Sequence, residues 1–309
     1  MSLIRHYIKK TPLEYSRRLS NLYGNQIYLK REDLQLTRSF KIRGVMNKIL
    51  NNFTISKQRG LICASTGNHA QAVAYCCNNF GIDGIIYIPS GTTKQKVNMI
   101  KYYGQNKIKL ITNSNNFQET LTNAYEFSKR NNKIFIHPFD DMDVINGQST
   151  IGAEILTELT PELVLTGVGG GGMLAGVYKS LNKTSKIVGI EPIGARSMTV
   201  AFNKKKPHNL TNIDRFIDGA AVPKIGTLNF DILYNNVDIH TVTNSEVSKT
   251  MVDLYNYDGI IVEPAGALAL AGLKHIKDKN KKIVCVISGG NNDISRYNEI
   301  LDFYKSNTE

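Results

Sequence analysis

The stretch GLICASTGNHAQAVAYCCNNF, residues 60–80, passes from a short apolar run through a small polar loop into an alanine-rich run. GLICAS predicts a buried strand, and NHAQAVAYCCNNF predicts a helix. The same order returns along the chain, with strand-like runs in DGIIYIP (83–89), KIKLIT (107–112), KIFIHP (133–138), ELVLTGVG (162–169), KIVGIEP (186–192) and KKIVCVISGG (281–290). Continuous Val, Ile and Leu runs indicate strands that are buried on both faces. Strand–helix alternation therefore predicts an α/β fold with parallel sheets flanked by helices.

The length of 309 residues suits one large or two ordinary domains. The strand–helix units between residues 45 and 141 look self-contained, and the later units form another sheet. We therefore predict a small domain over residues 45–141 and a large domain formed by residues 1–44 and 142–309. A cleft between two domains is the default location for a ligand.

The bulk composition excludes several classes of protein. The net charge is +12, but the basic residues are spread along the chain without interleaved aromatic residues, so the charge indicates attraction for anionic ligands rather than nucleic-acid binding. The sequence contains no apolar run of about 18 residues, the length that would predict a membrane span. The start, MSLIRHYIKKTPLEY, lacks the apolar core of a signal peptide, which predicts a cytoplasmic protein.

Three loops directly follow predicted strands: GVGGGG (167–172), STGNH (65–69) and SGGN (288–291). Successive glycines at a helix start let backbone N–H groups converge, which predicts a phosphate site in GVGGGG. The same loop also fits the pattern GxGxxG, and Glu191 follows about 20 residues later, as in dinucleotide-binding proteins. A nicotinamide-dependent dehydrogenase is therefore an alternative at this point.

The loop STGNH offers two hydroxyls, an amide and an imidazole at the start of a helix. Such a loop suits a carboxylate ligand, although Ser65 and Thr66 could equally serve as helix caps. In SGGN, the hydroxyl of Ser288 can hydrogen-bond a ring nitrogen without giving it a full charge.

The segment RSFKIRG (38–44) holds Lys41 between the strand-like IYLKRED (27–33) and the helix-like VMNKIL (45–50). The dipole of a helix opposes a positive charge near its start. That dipole and a cationic neighbour, Arg43, favour the free amine of Lys41, the form that reacts with carbonyl compounds.

Together, the segments SFKIRG, STGNHAQ, GGGGML, EPAGAL (263–268) and SGGNND (288–293) resemble the threonine dehydratase and serine racemase group of fold-type II pyridoxal-phosphate enzymes. The resemblance runs from KTPLEYS near the N-terminus to SGGNNDISR near the C-terminus. It implies a two-domain fold like that of the tryptophan synthase β subunit, pyridoxal 5'-phosphate as cofactor, and a homodimer.

The resemblance also implies roles for individual residues. Lys41 would form the Schiff base with the cofactor and remove the Cα proton of the substrate. The other cofactor-binding residues would be Phe40 beside the ring, Asn68 at the ring hydroxyl, Ser288 at the pyridine nitrogen, and Gly169, Gly170, Gly171, Gly172 and the Met173 amide at the phosphate. The residues that receive the substrate carboxylate would be Ser65, Thr66, Asn68 and His69.

The implied activity is β-elimination, which converts L-threonine to 2-oxobutyrate and ammonia and L-serine to pyruvate. Thr66 stands where serine racemases carry a catalytic serine and many threonine dehydratases an alanine, so Thr66 is a second candidate catalytic residue. A serine racemase or a β-replacement enzyme of the same group is therefore an alternative.

Further motifs refine these expectations. EPIGARS (191–197) has Arg196 and Ser197 where the racemases' metal site would need an aspartate, so no bound metal is predicted. The chain continues for only 16 residues after SGGNND, so no C-terminal regulatory domain is expected. HPFDD (137–141) predicts either a wall of the cleft, with Phe139 near the substrate side chain, or a packed loop.

Overall fold

The computed structural model describes residues 3–112, 114 and 117–306, which form two compact units. The first unit comprises Lys41–Gly147 together with the residues up to Lys9. The second comprises Lys10–Phe40 and the residues from Gln148 onward. The predicted domain boundaries after residues 44 and 141 stay a prediction. Of the residues in the two predicted domains, residues 1, 2, 113, 115, 116 and 307–309 lie outside the described residues.

The strands are short, and most coincide with the apolar runs of the sequence. Ten strands form within the described residues: β1 (Leu13–Tyr15), β2 (Gln26–Arg31), β3 (Leu61–Ala64), β4 (Gly84–Tyr87), β5 (Ile108–Ile111), β6 (Ile134–Phe135), β7 (Leu163–Gly167), β8 (Lys186–Pro192), β9 (Asp238–Val242) and β10 (Lys282–Ile287).

Helices connect the strands throughout both units. The α-helices of the described residues are α1 (Arg17–Tyr23), α2 (Lys41–Asn51), α3 (Phe53–Arg59), α4 (Asn68–Phe80), α5 (Lys94–Gly104), α6 (Phe117–Arg130), α7 (Met142–Gln148), α8 (Thr150–Leu156), α9 (Gly172–Leu181), α10 (Ser197–Lys204), α11 (Thr227–Leu233), α12 (Asn244–Asp258), α13 (Pro264–Ala271) and α14 (Tyr297–Lys305). Short 3-10 helices lie at Leu3–His6, Glu32–Leu34, Gln105–Lys107, Ile193–Ala195, Gly272–His275 and Ile294–Arg296.

Each unit is built on its own sheet. The sheet of the first unit has the order β5-β4-β3-β6 and is parallel throughout. The sheet of the second unit has the order β1-β2-β10-β7-β8-β9 and is parallel except for β1, which pairs antiparallel with β2. The prediction of an α/β fold with parallel sheets flanked by helices is confirmed.

The central strands are buried on both faces because helices cover them. All four residues of β3 are buried, and so are the last five of β10, where Cys285 pairs with Leu29 of β2 and with Leu165 of β7. Every residue of α13 is buried, which explains the uniformly apolar run PAGALALA. Since β7 and β10 are neighbours, the glycine loop after β7 and Ser288 after β10 lie at the same edge of one sheet.

Candidate active site

Lys41 begins helix α2 in the first unit. The sequence predicted helix from about residue 45, so the helix starts one turn earlier than expected. The half-buried Lys41 side chain donates a hydrogen bond from Nζ to the carbonyl oxygen of Pro138 at 2.8 Å. Arg43 is fully buried in the same helix, and residues two apart on a helix do not face each other, so its influence on Lys41 stays a prediction.

The residues just before Lys41 belong to the second unit and pair with the loop that follows β10. Ser39 forms an antiparallel bridge with Gly289, and the Phe40 N–H donates to the carbonyl oxygen of Ser288 at 3.1 Å. The Gly290 N–H donates to the carbonyl oxygen of Arg38 at 2.9 Å. This short ladder fixes the backbone of Phe40 against that of Ser288.

The Ser288 hydroxyl is buried and donates to the carbonyl oxygen of Ala265, the second residue of α13, at 3.1 Å. Gly289 is tightly enclosed, since a β-carbon there would lie 3.2 Å from Cβ of Ser39 and would overlap Oε1 of Glu263. The glycines of SGGN therefore have a packing reason, because helix α13 and the 38–40 segment approach this loop closely.

The loop STGNH joins β3 to α4 in the first unit. Ser65, Thr66 and Asn68 are half-buried, and the Ser65 hydroxyl accepts a hydrogen bond from the Gly67 N–H at 3.3 Å. Helix α4 begins at Asn68, and the first N–H groups of a helix have no acceptor within it. The structure thus brings the four predicted carboxylate-binding residues together at the positive end of a 13-residue helix.

The His69 side chain is buried, and its Nε2 lies 2.9 Å from the carbonyl oxygen of Ile136. A carbonyl only accepts, so the ring proton is on Nε2. Burial, and after it the positive charge of Lys41, lowers the pKa of His69 to about 3. The His69 ring is therefore neutral at physiological pH.

The glycine loop of the second unit runs from β7 into the 10-residue helix α9, where Gly172 is the first residue and Met173 is buried. Gly171 has a φ of +94°, and a β-carbon there would lie 2.9 Å from Cε of Met198 and from Cβ of Asn229. A β-carbon at Gly169 would lie 3.1 Å from Cα of Ala220. The loop therefore accepts only glycine at Gly171.

The carbonyl oxygen of Gly170 points into the protein, where it accepts from Nδ2 of Asn229 at 2.8 Å and from the Gly226 N–H at 3.2 Å. Because that carbonyl is held inward and the glycines carry no side chains, the loop places neither in front of the N–H groups that begin α9. This arrangement fits the phosphate of a cofactor such as pyridoxal phosphate. Sequence reasoning missed Asn229, because it lies 59 residues from Gly170 and no motif marks it.

Glu191 ends up as a helix cap. Its buried carboxylate accepts from the N–H of Met198 at 2.6 Å and from the N–H and hydroxyl of Thr199 at 3.0 and 2.9 Å, in the first turn of α10. Burial raises the pKa of Glu191 to about 7, although these hydrogen bonds favour the charged form. Since the carboxylate is committed to α10, it does not serve as the ribose-binding acid of a dinucleotide site.

Neither a cluster of metal ligands nor a membrane-spanning helix is found among the described residues. Over residues 3–112, 114 and 117–306, no three or more His, Cys, Asp and Glu side chains cluster in a way that could hold a metal ion. Within the same ranges, no helix combines the length and the apolar composition that a membrane span requires.

In this α/β protein a lysine begins one helix, a glycine loop leads into a second, and a loop suited to a carboxylate leads into a third. These features indicate a cofactor-dependent enzyme that acts on amino acids. Comparison with known proteins supports this class and narrows it. The profile of the family described as "Pyridoxal-phosphate dependent enzyme" matches residues 4–289. The chain belongs to this family, and pyridoxal phosphate is its cofactor. The dehydrogenase hypothesis is left without support.

Most of the similar proteins are named for the dehydration or deamination of threonine, and one solved structure is a serine racemase. The chain is 44% identical to the biosynthetic L-threonine dehydratase IlvA of Corynebacterium glutamicum, over 97% of this chain and 71% of that protein. It is 42% identical to the protein of the same name from Bacillus subtilis, over 97% and 73%. The processed threonine deaminase isoform 2 of Solanum lycopersicum superposes with a TM-score of 0.93 at 35% identity, over 99% of this chain and 86% of that one. Maize serine racemase gives a TM-score of 0.89 at 25% identity, over 99% and 96%.

Proposed function

We propose that the protein deaminates L-threonine to 2-oxobutyrate and ammonia, and L-serine to pyruvate, with pyridoxal phosphate as cofactor. The observation that carries the proposal is the combination of Lys41, at the start of α2, with the glycine loop at the start of α9, in a chain 40% or more identical to several proteins named threonine dehydratase. When bound, pyridoxal phosphate supplies an electron sink for negative charge at the substrate Cα.

Each predicted site residue has a role in this proposal. Lys41 would carry the cofactor covalently and would take the Cα proton of the substrate on Nζ. The N–H groups from Gly169 to Met173 would hold the phosphate, because a helix start favours an anion. Phe40, Asn68 and Ser288 would hold the ring.

The loop STGNH receives the substrate carboxylate through hydroxyls, the Asn68 amide and backbone N–H groups at the start of α4. The ring of His69 is neutral and bound to Ile136, so we assign the contribution of His69 to its backbone N–H.

The chemical balance of the reaction follows from these roles. The Cα–H bond and the Cβ–O bond of threonine break, and the hydroxyl leaves as water. The enamine that results tautomerises, takes up water and releases ammonia, which leaves 2-oxobutyrate. A neutral partner for the ring nitrogen, Ser288, limits charge accumulation at Cα and so favours elimination over transamination.

The test has a structural arm and a chemical arm. Reduction of the holoenzyme with borohydride, followed by peptide mass spectrometry, should find the cofactor on Lys41, and Lys41→Ala should abolish the adduct. Incubation of the wild type with L-threonine should yield 2-oxobutyrate in a coupled assay. A reduced adduct on another side chain, or on none, would overturn the proposal.

A second candidate activity rests on one residue, Thr66. Its half-buried side chain carries a hydroxyl next to the start of α4, and a hydroxyl there can act as an acid or base at Cα. Racemisation of serine is then a competing outcome. Incubation of the wild type and Thr66→Ala with L- and D-serine and L- and D-threonine, scored for oxo acid and for inverted amino acid, separates the two. Inversion that Thr66→Ala abolishes would favour the racemase.

We further propose that the protein is a homodimer and acts in the cytoplasm. The resemblance to the threonine dehydratase group supports the dimer, and the similarity to bacterial biosynthetic enzymes supports the location. Light scattering of the purified holoenzyme tests the first statement, because a mass near twice 34.5 kDa is expected.

A further inference from the structure

The turn formed by residues 136–140 of the first unit contains most of the motif HPFDD, to which the proposed reaction gives no role. The backbone carbonyl of Pro138, in the middle of this turn, accepts the hydrogen bond from Nζ of Lys41 at 2.8 Å. A lysine side chain has several rotatable bonds, so a fixed acceptor at its tip decides where the amine lies. The orientation of one peptide group thus bears on the position of Lys41.

Two histidine rings hold the backbone on either side of Pro138. Nδ1 of His137 accepts from the Asp140 N–H at 2.7 Å and from the Phe139 N–H at 3.3 Å. Nε2 of His69 donates to the carbonyl oxygen of Ile136 at 2.9 Å. The peptide groups before and after the Pro138 carbonyl are therefore both anchored by side chains.

The hydrogen bonds fix the tautomer of His137. Backbone N–H groups only donate, so Nδ1 carries no proton and the proton of the neutral ring is on Nε2. Burial lowers the pKa of His137 to about 4, Lys41 acts in the same direction, and Asp140 and Asp141 oppose it. The charged or titratable groups whose electrostatics reach this ring are Lys41, His69, Asp140 and Asp141.

We propose that His137 is a positioning residue for Lys41: as a neutral ring with an unprotonated Nδ1, it caps the N–H groups of Phe139 and Asp140 and so orients the Pro138 carbonyl that holds the Lys41 amine. His137 does not touch the reacting atoms in this assignment. It acts through the turn, and the inference rests on the proposed role of Lys41 as the residue that carries the cofactor.

The local geometry suggests a matched pair of variants. A side-chain acceptor that bonds the N–H groups two and three residues ahead is the arrangement that asparagine forms in an Asx-turn. His137→Asn therefore keeps the cap, whereas His137→Leu fills the space with an apolar group and removes it. Ile100→Ala, at a fully buried position in α5, is the control for a variant that loses stability without touching the turn.

The experiment compares two reactions of Lys41 in the apoprotein, each trapped by borohydride and quantified by peptide mass spectrometry. Pyridoxal phosphate is an aldehyde anchored by its phosphate, so its rate of attachment depends on where the amine lies. Formaldehyde is unanchored, so its rate reports only the intrinsic reactivity of the amine. Amide hydrogen exchange at Phe139 and Asp140 reports the cap itself.

We expect His137→Leu to lower the ratio of the pyridoxal-phosphate rate to the formaldehyde rate about tenfold, in line with the loss of one hydrogen bond. His137→Asn should restore the ratio to within about threefold, and Ile100→Ala should leave it unchanged. An unchanged ratio in His137→Leu, or an equal loss in His137→Asn, overturns the inference.

The amide exchange separates this inference from the proposed function. If the wild type attaches no cofactor to Lys41, the proposed function fails, and the role of His137 as positioning residue for a cofactor-bearing lysine fails with it. If the cofactor attaches and exchange at Phe139 and Asp140 is equally slow in His137→Leu, the proposed function stands and the assignment of His137 is wrong. Fast exchange in His137→Leu with protection in His137→Asn supports the assignment.

Discussion

Nε2 of His69 and the carbonyl oxygen of Ile136 lie 2.9 Å apart, and this one hydrogen bond ties the start of α4 to the chain just beyond β6. The buried ring must stay neutral to keep its place, since its pKa is lowered to about 3 while an unfolded histidine titrates near 6.5. The stability that His69 contributes is therefore complete above pH 6.5. It is lost progressively as the unfolded state takes up a proton below that pH, down to about 3.

We predict that the free energy of unfolding falls with acidification by about 1.4 kcal/mol per pH unit for this histidine between about pH 6 and 4. His69→Gln should remove that slope, as measured by urea unfolding of the apoprotein at a series of pH values. The difference between the two proteins isolates His69 from Glu191, whose raised pKa acts in the opposite sense. His208→Gln, at a partly exposed histidine, is the control. Parallel pH profiles for wild type and His69→Gln would contradict the prediction.

Gly171→Ala should weaken cofactor binding. The new β-carbon would lie 2.9 Å from Met198 and Asn229, closer than packed atoms tolerate, and the φ of +94° adds backbone strain. We expect the concentration of pyridoxal phosphate that half-saturates the apoprotein to rise at least tenfold, measured by the change in absorbance on binding.

Gly259→Ala is the matched control for this glycine. Gly259 ends α12 in the same unit with a φ of +64°, and nothing lies within 4 Å of a β-carbon there. This variant introduces a backbone strain of about 1–2 kcal/mol but no overlap between the new β-carbon and its neighbours. It should lower the melting temperature and leave cofactor affinity unchanged. Equal effects of the two substitutions on affinity would show that the overlap at Gly171 is irrelevant.

Much of the fold could be predicted because buried parallel strands leave continuous apolar runs. Helix α4 has the limits that its sequence predicts, residues 68–80. Strand β9 was missed, because it lies at the edge of its sheet, is only half-buried and carries Asp238 and His240 in place of an apolar run. Strand β1 is three residues long and falls below what a pattern can indicate.

The residues of the candidate site also divide into those that the sequence indicates and those that it does not. Gly171 and Ser288 belong to local motifs whose residue types reflect backbone freedom and hydrogen bonding, so the sequence indicates them. Pro138 contacts Lys41 through a backbone carbonyl 97 residues away, and a carbonyl leaves no mark on residue type. The cap by His137 also stayed hidden, since a histidine in a turn has many other uses.

Ser288→Asp should change the products rather than merely the rate. The Ser288 hydroxyl is buried and hydrogen-bonded to the carbonyl of Ala265, and a carboxylate there would keep a facing ring nitrogen protonated. We expect a larger fraction of transamination product from L-threonine, measured by chromatography of the reaction mixture, together with loss of stability from the buried charge. Ser288→Ala, which adds no charge, is the control. A product ratio in Ser288→Asp equal to that of the wild type would count against the role of Ser288.

The last prediction concerns an ion pair in the core of the second unit. Nζ of Lys30 lies 2.6 Å from Oε2 of Glu154 and 2.7 Å from the carbonyl oxygen of Thr11, and both charged side chains are almost completely buried. Removal of one charge takes this contact at 2.6 Å away from the other charge, which stays buried in a medium of low polarity. We expect Glu154→Gln to cost about 3–5 kcal/mol in urea unfolding.

Two comparisons make this test specific. Glu126→Gln breaks the exposed pair with Arg130 in α6 and should cost less than about 1 kcal/mol. Lys30→Met combined with Glu154→Leu removes both charges at once and should be more stable than Glu154→Gln alone. The reason is that the attraction within a buried ion pair offsets little more than the desolvation of its two charges. If the double variant were several kcal/mol less stable than the wild type, the attraction between Lys30 and Glu154 would outweigh that desolvation, and the pair would be a net source of stability for the fold.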